Sequence, residues 1–263
     1  MQPRIHCITN YVTAGACADL LLACGALPVM ADAPEETAEI TAHAAALTLN
    51  LGTLSKERRT AMLLSGQEAN RRGIPVVLDP VGAGASAFRR EAAAQLLREI
   101  RFTAIRGNAS EIRYLAGVHA ECDGADVSAA DALSDQTRAA SLAAASELAK
   151  KTGAVILMTG ETDLLTDGDT AYAVHNGHPM MSRITGSGCM LSALTAAYLA
   201  VRPDTPADAC LTVLCMMGLA GEIAAKRMTG QEGNASFRNY LSDAVFCMTE
   251  QQLREGARYE IFR

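Results

Sequence analysis

As far as Gly160, short apolar runs bounded by turn residues alternate with longer segments of helical period. The runs ALPVM (26 to 30), ALTLN (46 to 50), IPVVLDP (74 to 80), FTAIRG (102 to 107) and AVILMTG (154 to 160) are brief and continuous, as strands buried on both faces of a parallel sheet are. Between them, EETAEITAHA, SKERRTAMLLSGQEANRR and SAFRREAAAQLLREI space apolar residues three and four apart, with charges on the other face. They read as amphipathic crossover helices. Strand and helix repeated in this order predict an α/β fold, a mostly parallel central sheet flanked by helices on both faces.

After Gly160 the pattern changes. LLTDGDTAYAV holds two short runs joined by Asp167-Gly168, a strong hairpin signal that predicts an antiparallel edge. From Ser187 onward the chain reads as nearly all helix, in segments around 188 to 201, 206 to 228 and 235 to 255, followed by a short ARYEIFR. No internal repeat or low-complexity linker interrupts it. One domain over residues 1 to 263 is the expectation, since α/β folds run to about 250 residues undivided.

Composition narrows the function classes. With 49% hydrophobic and 20% charged residues the chain can bury a large core. The net charge, 23 − 29 = −6, comes without a basic run, so the footprint of a nucleic-acid binder is missing. The eight cysteines show no C-x-x-C pair and no grouping with histidine, which disfavours zinc. Cys210 and Cys215 lie in an apolar helical stretch, as free cysteines do in a reducing compartment, so a cytoplasmic location is expected. MQPRIHCITNYV lacks the apolar core of a signal peptide, and no apolar run is expected to reach the length of a membrane span.

In open parallel sheets ligands bind at the carboxyl ends of strands. The residues found there are Asn50-Leu51-Gly52-Thr53, Asp79-Pro80-Val81-Gly82-Ala83-Gly84, Arg106-Gly107-Asn108 and Thr159-Gly160-Glu161, which are small, flexible or polar. The sharpest motif is Thr185-Gly186-Ser187-Gly188-Cys189-Met190-Leu191 before an apolar helical segment. Exposed amides at a helix start form an anion site, where charge spreading over a transferring phosphoryl group would be stabilised. On its own the motif is better read as a tight turn with a cap. Asn108 and Glu111 present a similar choice between a metal-binding acid and a capping box, evenly matched locally.

There is no P-loop signature, no Gly-x-Gly-x-x-Gly opening a first βαβ unit and no nucleophile elbow. Cys189 stands in the first helical turn after the glycines, where the helix end is expected to lower its pKa and let it poise a substrate hydroxyl. Its plainer reading is a small buried residue.

Taken together, HCITNYVT, LPVMADAPEE, LNLGTLS, IPVVLDPVGAGAS, AIRGNASEI, TGETDLLTDG, VHNGH and ITGSGCMLSA, in this order and spacing, resemble the hydroxyethylthiazole kinases of thiamine salvage, within the ribokinase-like superfamily. The resemblance implies a ribokinase-like three-layer sandwich that uses ATP and magnesium to phosphorylate 4-methyl-5-(2-hydroxyethyl)thiazole. It also implies a homotrimer with active sites between subunits. Met30 matches a thiazole-contacting methionine that reaches a neighbour's site; its plainer reading is core packing. Gly186 matches the substrate-side glycine of the anion loop, with Gly188 and Cys189 completing the catalytic turn. Arg106 and Thr159 match ATP contacts, with Asn108 beside them, and Glu111 would help hold magnesium. Asn10 and Asn50 lie in matching segments, where they could hydrogen-bond substrate or water.

Related kinases carry Asp, the base for the hydroxyl proton, where this chain has Cys189. A thiol is a poorer base for an alcohol, tolerable because phosphoryl transfer leans on positioning and electrostatics. Residues 119 to 135 follow the family pattern loosely, and Ser187 stands where Ala is common. The competing readings are a kinase of another small alcohol, a hydro-lyase on the same scaffold, and a nucleotide-binding protein without turnover. The presence of Arg106 and Glu111 disfavours the last.

Overall fold

In the computed structural model, which describes residues 2 to 118 and 135 to 262, the apolar runs are strands of one sheet. They are β1 (Arg4–Ile8), β2 (Leu27–Val29), β3 (Ala46–Asn50), β4 (Val76–Asp79), β5 (Ala104–Asn108), β6 (Val155–Thr159), β7 (Asp163–Thr166), β8 (Ala171–Val174) and β9 (Tyr259–Phe262). The sheet order is β2-β1-β3-β4-β5-β6-β7-β8-β9. Strands β1 to β6 run parallel, and β7, β8 and β9 continue antiparallel. The antiparallel edge expected after Gly160 is therefore present, with Gly168 at φ 102° in the β7–β8 turn.

The helices are α1 (Ala14–Ala23), α2 (Thr37–Ala42), α3 (Lys56–Arg72), α4 (Ala87–Glu99), α5 (Ala109–Ala116), α6 (Asp135–Thr152), α7 (Ser187–Val201), α8 (Pro206–Arg227), α9 (Asn234–Cys247) and α10 (Glu250–Gly256). The side chains of each strand alternate between two cores, which fixes which helices lie on which face. Ala46, Val77, Ala104, Val155 and Leu157 join α1, α7, α8 and α9. Leu47, Leu49, Leu78, Ile105 and Ile156 join α3, α4, α5 and α6. Small alanines on the first face let α7 lie close over the sheet centre, and most of its residues are buried.

Local signals set the helix limits. Ser55 and Ser86 accept backbone N–H bonds at the starts of α3 and α4, and Gly73 and Gly117 end α3 and α5 in the left-handed region.

Four sequence expectations change. Arg4–Ile8, not read as a strand, is β1, paired between β2 and β3. Its polar His6 is fully buried because Nε2–H donates to Ala31 O at 2.7 Å and Nδ1 meets Thr41 Oγ1 at 2.8 Å. The terminal segment forms β9 on the edge of the sheet. The helix expected over 235 to 255 is two helices, because Met248 and Thr249 are extended and Thr249 opens a new capping box with Gln252. Finally, α8 is long and apolar enough to cross a membrane by length and composition, and it is mostly buried inside the fold. Of the loosely matching segment at 119 to 135, residues 119 to 134 lie outside the described residues.

Candidate active site

The carboxyl ends of β1, β3, β4, β5 and β6 meet the start of α7, and a buried acid lies at the junction. Asp79, the last residue of β4, is fully buried. Its Oδ2 accepts from Asn50 Nδ2 at 2.6 Å and from Ser192 Oγ at 2.9 Å. Among the described residues its Oδ1 has no hydrogen-bond partner, and the nearest cation is Arg106 Nη1 at 3.7 Å. Burial pushes the Asp79 carboxyl up to about 6, against the downward pull of Arg106 and with a further push from Glu111.

Two asparagines link this acid to Cys189. Asn50 Nδ2 also reaches Cys189 Sγ at 3.3 Å, and Asn10 Nδ2 donates to Asn50 Oδ1 at 3.1 Å and to the same sulfur at 3.4 Å. Asn10 Oδ1 accepts from Thr13 N and Asn50 Oδ1 from Gly52 N. Asn10 and Asn50 are both buried, with their amide groups engaged inside the protein. The structure thus makes them a relay from acid to thiol.

The expected fall in the Cys189 pKa does not occur. Burial pushes the thiol up, and Asp79 adds to that push. The hydrogen bonds from Thr13, Asn50 and Asn10 oppose it without prevailing. The favourable field at the helix end is outweighed by desolvation and a neighbouring carboxylate. Cys189 is held as a neutral thiol whose sulfur already receives amide N–H groups.

The glycine turn is required by close approach on both sides. Gly186, at φ 89°, caps α7, and a Cβ there would lie 2.9 Å from Thr13 Cβ. At Gly188 a Cβ would lie 2.6 Å from Arg106 Cζ, so the guanidinium rests directly on the turn. No side chain caps α7, and Met190 N closes onto Gly186 O at 2.8 Å. The amides of Ser187, Gly188 and Cys189 precede that bond, in the turn where a helix offers no carbonyl partner. Arg106 Nη2 donates to Thr159 Oγ1 at 2.5 Å across neighbouring strands, and Arg106 Nε is buried with no partner.

Glu111 fulfils the plainer of its two readings: Asn108 and Glu111 form a complete capping box. Its Oε2 accepts from Asn108 N at 2.8 Å, while Oε1 accepts from Gly82 N at 2.9 Å and so also holds the loop after β4. Neither role exhausts the carboxylate, whose oxygens each keep accepting capacity. The unpaired Oδ1 of Asp79 is the other acceptor at this junction. Magnesium takes one or two carboxylates together with phosphate and water oxygens, and this donor set fits it. Among the described residues no group of three or more His, Cys, Asp or Glu could hold a metal by itself.

A family model described as the hydroxyethylthiazole kinase family matches residues 1–251. The chain belongs to that family. A hydroxyethylthiazole kinase of Clostridium acetobutylicum is 48% identical over 261 residues, covering 99% of this chain and 96% of the relative. The solved hydroxyethylthiazole kinase of Pyrococcus horikoshii OT3 superposes with a TM-score of 0.86 at 33% identity, covering 100% of this chain and 94% of that one. A ribokinase-like superfamily protein of Enterococcus faecalis V583 shares the fold at a TM-score of 0.63 and 14% identity, with coverage of 92% and 86%. The ribokinase-like α/β expectation is thereby met.

Within this kinase fold, Arg106, Thr159, Asn108, Glu111, Gly186, Gly188, Cys189, Asn10 and Asn50 gather at one junction. Met30 does not join them. It follows β2, is 39% exposed, and so is not core packing. A cavity of about 530 Å³, lined by Arg90, Leu97, Phe102, Tyr114 and Leu148 among others, lies toward the amino ends of β5 and β6 and contains none of the site residues. Sequence reasoning did not single out Asp79, Ser192 and Thr13. Asp79 carried a signal, a lone acid closing an apolar run. Ser192 and Thr13 carried none, because their roles depend on how α7 meets the sheet.

Proposed function

We propose that this chain transfers the γ-phosphoryl group of ATP to the hydroxyl of 4-methyl-5-(2-hydroxyethyl)thiazole, giving the thiazole phosphate and ADP in cytoplasmic thiamine salvage. The observation that supports it best is the convergence of Arg106, Asp79 and the Gly186–Cys189 turn at one point, in a chain matched to this kinase family over nearly its whole length.

Arg106 and Thr159 bind the nucleotide phosphates, the guanidinium by charge-assisted bonds, with Asn108 beside them. Asp79 and Glu111 would hold magnesium, which would supply neutralisation of phosphate charge. The substrate hydroxyl oxygen attacks the γ-phosphorus as the bond to the β–γ bridging oxygen breaks and ADP leaves, the hydroxyl proton passing through the transferred phosphoryl oxygens to solvent. The amides of Ser187, Gly188 and Cys189 face the charge that develops there. Cys189, a neutral thiol, lines the nucleophile instead of ionising, and the Asn10–Asn50 relay fixes its position relative to Asp79.

On the thiazole side, the Gly186 turn and the Met30 of a neighbouring copy of the chain form the pocket wall. The exposure of Met30, Tyr11 and Val12 at the ends of β1 and β2 supports a homotrimer in which Met30 faces a neighbour's site.

ATP consumption by the purified protein with magnesium tests the reading. Hydroxyethylthiazole is compared with hydroxymethylpyrimidine, pyridoxal and no acceptor, with Gly186→Asp as control. Turnover selective for the thiazole and lost in the variant is expected; nucleotide binding without turnover of any alcohol overturns it.

A further inference from the structure

The loops that follow β1, β2 and β3 are tied together by one side chain outside the cluster around Asp79. Arg58 stands in the first turn of α3, with its side chain 17% exposed. Its Nε donates to Asp32 Oδ2 at 2.7 Å. Its Nη1 donates to Thr53 Oγ1 at 2.8 Å, and its Cζ lies 5.9 Å from the centroid of the Tyr11 ring. Each partner neighbours a residue of the candidate site: Tyr11 follows Asn10 and Thr53 ends the turn begun at Asn50, the two asparagines that hold Cys189, while Asp32 lies two residues after Met30.

Two further features show that these loops are held in place. Thr53 has φ 45°, the one positive-φ residue other than glycine among the described residues. A β-branched residue keeps that conformation only where its surroundings impose it, and Arg58 binds its hydroxyl. The Met30 loop is also pinned between Met30 and Asp32, because buried His6 donates to Ala31 O. The segment carrying Met30 is thus fixed at successive residues, from the sheet by His6 and from α3 by Arg58.

We propose that Arg58 is a positioning residue for the alcohol substrate, holding the walls contributed by the β1, β2 and β3 loops in one geometry through Asp32, Thr53 and Tyr11. The inference rests on the proposed substrate reading, with Met30 on the thiazole side and Asn10 and Asn50 holding Cys189 beside the nucleophile. It separates the acceptor from the nucleotide, since Arg58 touches no residue assigned to ATP. Arginine is suited to the task because its planar fork serves Asp32 and Thr53 at once, whereas a lysine ammonium is a single point.

Steady-state kinetics of Arg58→Met, Arg58→Lys and Asp32→Asn test it, alongside thermal unfolding and sedimentation of each variant. In Arg58→Met the KM for hydroxyethylthiazole is expected to rise about tenfold while kcat and the KM for ATP stay within about twofold, the pattern of lost acceptor binding. Arg58→Lys recovers part of the loss, and Asp32→Asn adds little to Arg58→Met because the pair acts as a unit. An unchanged thiazole KM in a folded Arg58→Met overturns the proposal. So do equal rises in both KM values, or an activity loss that merely follows a change in melting temperature or assembly. If the wild-type protein does not phosphorylate the thiazole at all, the substrate reading fails first and this inference fails with it. Wild-type turnover with an insensitive Arg58 sinks this inference alone.

Discussion

Gly188→Ala isolates the contact on which the proposed nucleotide side of the site depends. A Cβ at this position would lie 2.6 Å from Arg106 Cζ, whereas ordinary contact begins near 3.4 Å. The guanidinium must therefore withdraw by about 1 Å, and displacements of that size at a reacting centre cost on the order of 10²-fold in rate. The same movement disturbs the 2.5 Å bond from Nη2 to Thr159 Oγ1 and the 3.7 Å approach of Nη1 to Asp79.

Stability should move little in this variant. Alanine gains about 0.5–1 kcal/mol over glycine within a helix, and one lost hydrogen bond costs a similar amount, about 1 kcal/mol. The expected result is a melting temperature close to wild type with kcat/KM for ATP reduced about a hundredfold, equivalent to about 2.7 kcal/mol of transition-state stabilisation. A coupled assay of ADP release gives both parameters. In an Arg106→Ala background the Gly188→Ala change should add almost nothing, because the group it displaces is gone. Wild-type kcat/KM in Gly188→Ala, or full additivity in the double variant, refutes the reasoning.

Asp79, pushed up to about 6, favours the protonated acid in the folded protein. Its contribution to stability is full below an unfolded-chain value of about 4 and is lost as pH rises through about 6, while activity, which on the proposed mechanism needs the carboxylate, is expected to climb over the same range. Asp79→Asn should flatten that part of the stability curve and abolish turnover; because burial also raises Asp163 to about 6, Asp163→Asn is the control, and an unchanged stability curve in Asp79→Asn contradicts the assignment. Cys189, its thiol pushed up by burial, should react with iodoacetamide at neutral pH more slowly than free cysteine, and Cys189→Ala should lose less than the 10²–10⁴-fold or so expected on removing a general base; rapid alkylation or a larger loss would show a working thiolate. Phe237, fully buried against the helices beneath the sheet, should cost about 3–5 kcal/mol on truncation to alanine; a urea midpoint near wild type would place it outside the core.

Much of the fold was legible because buried parallel strands and amphipathic helices differ in period, and that difference survives in the sequence. VVLD carries no polar residue before its last and ALTLN only Thr48, and both are buried throughout. Asp167-Gly168 announced its hairpin through the positive φ that glycine tolerates. RIHCI escaped because a histidine in a strand reads as exposed until its partners are known, and those partners, Ala31 and Thr41, come from later segments. The break at Thr249 was in fact local. Thr249 and Gln252 form a capping box, a signal masked by the helical period on either side of it.

The site was legible in its glycines, Arg106 and Thr159, where resemblance and physical reasoning agree. It was misread wherever one group serves several neighbours. Asn50 illustrates the difficulty: at a strand end, a buried amide looks like a substrate contact. Its Nδ2 instead bridges Asp79 Oδ2 and Cys189 Sγ, and its Oδ1 accepts from Gly52 N and Asn10 Nδ2. The same bridge explains the misjudged thiol. A helix end alone favours the thiolate, but Asn50 brings a carboxylate beside it, and a second negative charge in that buried space is unfavourable. Lowering the Cys189 pKa would raise that of Asp79, the acid facing Arg106. The relay thus keeps the negative charge on the residue beside the cation and leaves the thiol neutral beside the proposed nucleophile.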